Sequence, residues 1–429
     1  MKIAYITAGA AGMYCGSCIH DNTLAAALQK KGHEVALIPT YTPTRTDEPN
    51  VSIDHIFYGG INVYLQQKLA LFRHTPWFLD AMLDSPTLLN WISRFASTTN
   101  ASDLGALTVS VLRGNAGYQQ KELAKLIHWL KNSFRPDIVH LTNSMFLGLA
   151  QPLKKTLKVP ILCALQGEDV FLANLIEPYK SEAFSLLRNQ ASSADGFLAS
   201  GQYYANFMSE YLGLARQQIH VVKWGLNLKD HGTSNPSIAE TPFVVGYLAR
   251  ICPEKGLHIL VEAFRELTQR LEPNKLRLAV AGYMGPRDRP YFKTIQKQLS
   301  TWGLSALLDY RGEVDRGQKI DFLNSLHVLS VPTTYREAKG LFVLEALANG
   351  IPVVQPRHGS FPELIDATGG GILVEPNSPS AVADGLHSLL LDSDKRKRLG
   401  QQGKAAVHND FGEEVMAEET LAVYRQFLS

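Results

Sequence analysis

The chain is short of cysteine, of net charge and of long apolar runs, and each shortage bears on what it can be. Its 429 residues include four cysteines, Cys15, Cys18, Cys163 and Cys252. Cys15-Gly-Ser-Cys18 has the spacing of a redox or metal pair, but no second CxxC completes a zinc site. The pair reads as small residues filling a tight loop, with a thioredoxin-like role as the alternative. A formal net charge of +2 makes no case for nucleic-acid binding. No apolar run approaches the ~20 residues that a membrane span requires. The N-terminal stretch Met1 to Gly12 superficially resembles a signal peptide. Its apolar part is brief, Thr7 and Gly9 interrupt it, and Tyr14 precedes Cys15 where lipoprotein cleavage needs a small residue. It reads as a first strand and a Gly-rich turn, and the expected location is the cytoplasm.

What is present suits a soluble globular enzyme of two or three domains: 45% apolar and 19% charged residues. Lys2 to Thr7 reads as a buried strand, followed by a loop holding Gly9, Gly12 and Gly16. A helix over Thr23 to Lys30, capped by Asp21-Asn22, and a strand over Glu34 to Pro39 follow. Glycines after the first strand of such a βαβ unit let backbone approach a phosphate or sugar, although alone they mark only a tight turn. The rhythm breaks over 41–118. There Leu69, Leu71, Phe72, Trp77, Phe78, Met82, Leu88, Leu89, Trp91, Ile92 and Phe95 predict an inserted helical patch. It packs as a helical pair, walls an acceptor or touches a membrane surface; Lys68, Arg73 and Arg94 are few cations for electrostatic docking.

From Gln119 the βα alternation resumes and continues almost to the end, predicting parallel sheets with helices on both faces. Residues 229–242 have turn and linker composition. The predicted organisation is an N-terminal Rossmann-like domain over 1–235 with its insertion at about 58–118, and a second Rossmann-like domain over 236–410. A last helix, 411–429, is able to cross back to the first domain. The fold class is α/β, two doubly wound domains facing across a cleft.

The chain is organised around Glu337-Ala-Lys-Gly-Leu-Phe-Val-Leu-Glu345, which follows the apolar strand Val328 to Val331. Leu341 to Ala348 reads as a short helix stopped by Asn349-Gly350, with Lys339-Gly340 at its start. Unpaired amides at a helix start favour an anion. Glu337 and Glu345 lie on the order of 10 Å apart at ~1.5 Å per residue. That spacing suits two separate grips on hydroxyl pairs of a long polar ligand better than a proton-sharing dyad. Two glutamates alone are more often plain surface groups. Upstream, strand Phe243 to Leu248 runs into Ala249-Arg250-Ile-Cys-Pro-Glu-Lys255-Gly256, whose two cations suit a diphosphate.

Together these elements resemble family 4 retaining glycosyltransferases of the GT-B fold. The matching residues are Gly246, Arg250 and Lys255-Gly256; Arg311-Gly312-Glu313-Val314; the E-x7-E pair Glu337 and Glu345; Ala348 to Val354; Gly359-Ser-Phe-Pro-Glu363; and Gly370 to Pro376. The first domain matches more loosely, through its glycine loop and Gln166-Gly-Glu-Asp169. The resemblance implies transfer of a sugar from a UDP- or GDP-sugar to a hydroxyl of a saccharide, lipid-linked or small-molecule acceptor, with retention. Arg250 and Lys255 would neutralise the leaving diphosphate. Glu337 would hold sugar hydroxyls, the amides of Ala338, Lys339, Gly340, Leu341 and Phe342 the sugar and phosphate, and Glu345 the ribose. Gly312, Glu313 and Val314 would flank the base, Gly12 and Gly16 would approach the diphosphate, and Asp169 would partner a sugar hydroxyl.

No metal ligand and no cofactor is implied, since cations and helix dipole take the metal's part. The one D-x-D triplet, Asp392-Ser-Asp394, reads as a helix cap. Many relatives carry His where Gln166 stands; Gln keeps a donor and an acceptor but cannot become charged. His140 is a further candidate at a strand end. Competing readings are a sugar-nucleotide epimerase or phosphorylase-like enzyme, and a nucleotide-sugar-binding relic without activity.

Overall fold

The apolar runs become two parallel sheets, each covered by helices. The computed structural model describes residues 1–9, 15–75, 101–233 and 241–428. Two compact units emerge, Met1–Gly225 with Glu413–Ser429, and Leu226–Gly412.

In the first unit the strands are β1 (Lys2–Ala8), β2 (Glu34–Tyr41), β3 (Phe57–Gly59), β4 (Ile138–Leu141), β5 (Ile161–Leu165), β6 (Gly196–Ala199) and β7 (Ile219–Val221). They lie in the order β3-β2-β1-β4-β5-β6-β7, all pairs parallel. Helices cover both faces of such a sheet, so its strands read as unbroken apolar runs, Ile161-Leu-Cys-Ala-Leu165 among them. The strand order reverses between β1 and β4, the place where open α/β sheets take their ligands, beyond the strands' carboxyl ends. The C-terminal helix, Glu413–Leu428, belongs to this unit: Met416, Leu421 and Tyr424 pack into one core with Ile3, Tyr5, Leu24, Leu28, Leu37 and Leu198.

Several sequence expectations change here. The first helix begins at Gly16 and runs to Lys30, with Cys15 as an extended N-cap and no side-chain cap. Asp21 is not the cap but a buried second-turn residue, because hydroxyl and amide donors at the sheet's end claim its carboxylate. His140 is also a core residue rather than a cleft-edge group. It stacks on Tyr5 with ring centroids 4.3 Å apart, its Nδ1 shares a hydrogen bond with the Tyr424 hydroxyl, and burial pushes its pKa down to about 3. Tyr424→Phe leaves that ring without its partner. A loss of about 1–3 kcal/mol is expected in urea unfolding, and an unchanged midpoint would contradict the assignment. Of the predicted insertion, the structure describes helix Gly60–Lys68, the turn Ala70–Arg73 and helix Ala101–Leu112. The residues from Trp77 to Phe95 lie outside the described residues, as does Gly12.

The second unit carries β8 (Phe243–Leu248), β9 (Leu276–Ala281), β10 (Leu308–Gly312), β11 (Val328–Leu329), β12 (Val353–Pro356) and β13 (Gly371–Val374). Their order is β10-β9-β8-β11-β12-β13, again parallel and reversing next to the first strand, here between β8 and β11. Asp392 caps the helix Ser393–Asp410, its Oδ1 accepting from the Lys395 amide at 2.8 Å. Helix Phe361–Thr368, for which the sequence reading has no element, starts with Pro at its first turn and ends at Gly369.

Candidate active site

The loops after β8 and β11, the two strands at the second unit's switch point, meet at one glycine. Gly256 adopts φ +72°, and a Cβ there would stand 1.8 Å from the Pro332 carbonyl oxygen. Only glycine permits this approach. It sets Lys255, at the end of the short 3-10 turn Pro253–Lys255, against the loop that carries Glu337. Lys255 Nζ donates to Glu337 Oε2 at 2.6 Å and to the Tyr335 hydroxyl at 2.7 Å. The Tyr335 hydroxyl donates to the same Glu337 oxygen at 2.7 Å, and the Lys339 amide donates to Oε1 at 3.2 Å. The ammonium also lies 5.1 Å from the Tyr335 ring centroid and 5.2 Å from that of Phe342, within cation–π range.

Glu337's backbone is pinned as well. Its carbonyl accepts from the Ser360 amide at 2.8 Å, and Gly359, at φ +60°, leaves no room for a Cβ, which would come within 2.5 Å of that oxygen. Burial alone would raise the Glu337 pKa, but the Lys255 charge, its hydrogen bond, the Tyr335 hydroxyl and the Lys339 amide bring it down to about 2. Because the folded value lies below the ordinary 4.5, this contribution is present above that value and fades as pH falls from 4.5 towards 2. The stability gap between the parent and Glu337→Gln is therefore expected to shrink over that window, by on the order of 3 kcal/mol. Urea titrations at stepped pH check this, and a constant gap would contradict it.

Gly340 caps the helix Leu341–Ala348 at φ +68°, so this helix starts and stops where its sequence predicts. Glu345, buried within it, meets Lys319 of helix Arg316–Asn324, whose Nζ donates to Oε1 at 2.6 Å. Arg250, on the loop after β8, donates from Nε to Cys252 Sγ at 3.3 Å. Its carbonyl accepts from the Tyr247 hydroxyl at 3.1 Å, and burial pushes the Cys252 thiol up so that it stays protonated. Gly312, at φ +69°, ends β10 where the register with β9 shifts, and Glu313 and Val314 follow it.

Of the predicted residues in this unit, Lys255, Glu337, Lys339 and Phe342 come together directly. Arg250 joins them through its loop, and Glu345 sits further along the helix. Gly312 to Val314 belong to the edge strand β10. Sequence reasoning missed Lys319, Tyr335 and Cys252; Tyr335, two residues before Glu337, and Cys252, two after Arg250, had a signal close by, and Lys319 had none.

The first unit holds the other predicted positions. Gln166, just past β5, donates from Nε2 to Asp21 Oδ1 at 2.8 Å and lies 3.3 Å from Thr142 Oγ1. Asp169 accepts from the Tyr204 hydroxyl at 2.8 Å, which in turn accepts from the Gly167 amide. Gly16 is the first residue of its helix. Cys18 donates to the Ala8 carbonyl at 2.9 Å.

Two family models match this chain: glycosyl transferases group 1 over residues 233–406, and the glycosyl transferase 4-like domain over residues 22–225. The chain belongs to the group 1 glycosyltransferases. It is 30% identical over 158 residues to the D-inositol 3-phosphate glycosyltransferase of Corynebacterium jeikeium (strain K411), an alignment covering 37% of this chain and 38% of that protein. To the protein of that name from Xylanimonas cellulosilytica it is 28% identical over 250 residues, 55% of this chain and 58% of the relative. The chain thus matches about two fifths to three fifths of the length of these curated relatives. A crystal structure of Anabaena HepE in complex with UDP shares the fold, with TM-score 0.70 at 16% identity, covering 99% of this chain and 100% of that one. The fold is GT-B, built from two Rossmann-like domains. Among the described residues no helix is long and apolar enough to cross a membrane.

Proposed function

We propose that the protein moves a sugar from a UDP- or GDP-sugar to a hydroxyl of a saccharide, lipid-linked or small-molecule acceptor, with retention of anomeric configuration. The observation that carries this reading is the Lys255–Tyr335–Glu337 cluster at the switch point of the second sheet. It sets a partly buried ammonium and a buried, ionised carboxylate side by side, against the start of the helix that follows. On this reading Lys255 and Arg250 meet the leaving diphosphate, and the amides of Ala338 to Phe342 hold sugar and phosphate. No cofactor takes part, and the counter-charge comes from these cations and the helix start rather than from a metal. Glu337 accepts from sugar hydroxyls with the oxygen capacity its partners leave. Glu345, oriented by Lys319, takes the ribose hydroxyls. Gly312 to Val314 flank the base.

A carboxylate held near pKa 2 by an ion pair and two further donors is a weak nucleophile, which favours a route without a covalent glycosyl-enzyme. The departing phosphate then takes the acceptor's proton on the face it leaves. Radiolabelled UDP-, GDP- and ADP-sugars offered with and without acceptor test the reading. Transfer or slow hydrolysis with the anomer preserved by NMR supports it. Tight binding without turnover, an inverted anomer, or a sugar trapped on Glu337 or Asp169 overturns it.

A further inference from the structure

Nothing in the proposed chemistry uses Asp21, yet Asp21 is among the most heavily engaged side chains in the first unit. It is fully buried on the first helix. Oδ1 accepts from the Tyr5 hydroxyl at 2.6 Å and from Gln166 Nε2 at 2.8 Å, with His20 Nδ1 at 3.3 Å. Oδ2 accepts from Thr7 Oγ1 at 2.5 Å and Thr142 Oγ1 at 2.6 Å. These partners come from β1, from the loops after β4 and β5, and from the helix itself. The carboxylate therefore sits at the first sheet's own switch point, where such sheets bind ligands.

The cluster is organised about one asymmetry. A carboxylate ringed by donors only accepts, so the end of Gln166 facing it must be the amide NH2; the flipped group would set oxygen against oxygen. The other end, Oε1, is buried and has no hydrogen-bond partner among the described residues. The Gln166 backbone cannot relieve this. Its amide donates to Glu168 Oε2 at 2.6 Å, and Glu168 is fixed in turn by the Ser144 amide and hydroxyl. An orphaned buried acceptor is costly and points to a donor that arrives with the substrate.

We infer that Asp21 is a positioning residue: it locks the Gln166 carboxamide with Oε1 turned away from it, as an acceptor for one hydroxyl of the sugar substrate. The inference rests on the sugar-transfer reading above. It gives the Gln166 carboxamide a single fixed polarity.

A double-mutant cycle over Asp21→Asn and Gln166→Ala, with the affinities for UDP and for UDP-glucose measured separately by calorimetry, tests it. If the parent prefers another base, the GDP or ADP pair replaces these probes. Each single change is expected to weaken the nucleotide sugar and kcat/KM about tenfold or more, with affinity for the free nucleotide unchanged. The double variant should lose no more than Gln166→Ala alone. Additive losses, or equal losses for sugar nucleotide and free nucleotide, overturn the inference while leaving the sugar-transfer reading intact. A parent that binds no nucleotide or nucleotide sugar overturns both.

Should Asp21→Asn fail to fold, Gln166→Glu decides. The new carboxyl can replace the amide only while it is protonated and donating to Asp21. Among the described residues, His20, Tyr5, His140 and Glu168, with Tyr204 and Asp169 beyond Gly167, are the other titratable groups around it. Activity of this variant is expected to fall as pH rises through a range where the parent is flat, as paired carboxyls lose their shared proton. A pH profile matching the parent's would overturn the proposal.

Discussion

Glu337→Ala is expected to lower turnover by more than ~10²-fold, the scale for removing a group that holds the reacting sugar. The same change should destabilise the second unit by about 1–3 kcal/mol, because it leaves the partly buried Lys255 ammonium without its carboxylate. The two effects are separable. Lys255→Met in the Glu337→Ala background removes the stranded charge, so stability should recover in part while activity does not. Steady-state rates and urea unfolding on the parent and the two variants check this. A Glu337→Ala enzyme with near-parental kcat, once shown to be folded, would remove the carboxylate from the chemistry and with it the donor site described here.

Gly256→Ala is the second large effect. The substitution asks an L-residue to hold φ +72° and puts a methyl 1.8 Å from the Pro332 carbonyl oxygen. Left-handed backbone costs an ordinary residue about 1–2 kcal/mol, and the clash comes on top of it. The loop must therefore move, taking Lys255 away from Glu337 and Tyr335. The expected outcome is a loss of activity of ~10²-fold or more, together with a lowered melting temperature. As a control, Gly303→Ala is left-handed too, at φ +71°, but a Cβ there meets nothing within 4 Å. It should cost only the backbone term and leave activity alone. Equal losses in the two variants would mean that conformation, not the loop contact, carries the effect.

Much of the second unit is legible in its sequence because its signals are local. The strand Phe243–Leu248 and the helix Leu341–Ala348 fall where an apolar run and Asn349-Gly350 place them. What stays hidden depends on distant partners. Lys319 reaches Glu345 across separate helices, and nothing in Arg316–Asn324 marks one lysine as buried. Asp21-Asn22 before a run of alanines looks like a cap. Two of its real partners, Thr142 and Gln166, lie more than a hundred residues away. His140 ends an apolar strand and so resembles a cleft residue, until Tyr424, from the last helix, closes over it. Pairing across the fold leaves no periodicity to read.

The return of Glu413–Leu428 to the first unit has a consequence for biosynthesis. Leaving the ribosome at ~5–20 residues per second, the chain delivers the first sheet on the order of ten seconds or more before its closing helix. Throughout that interval the core that holds Tyr5, Leu198 and Val222 lacks Met416, Leu421 and Tyr424, while the intervening unit is already being made. The half made first is the half completed last, and nascent chains stalled short of Met416 are where chaperone engagement should concentrate.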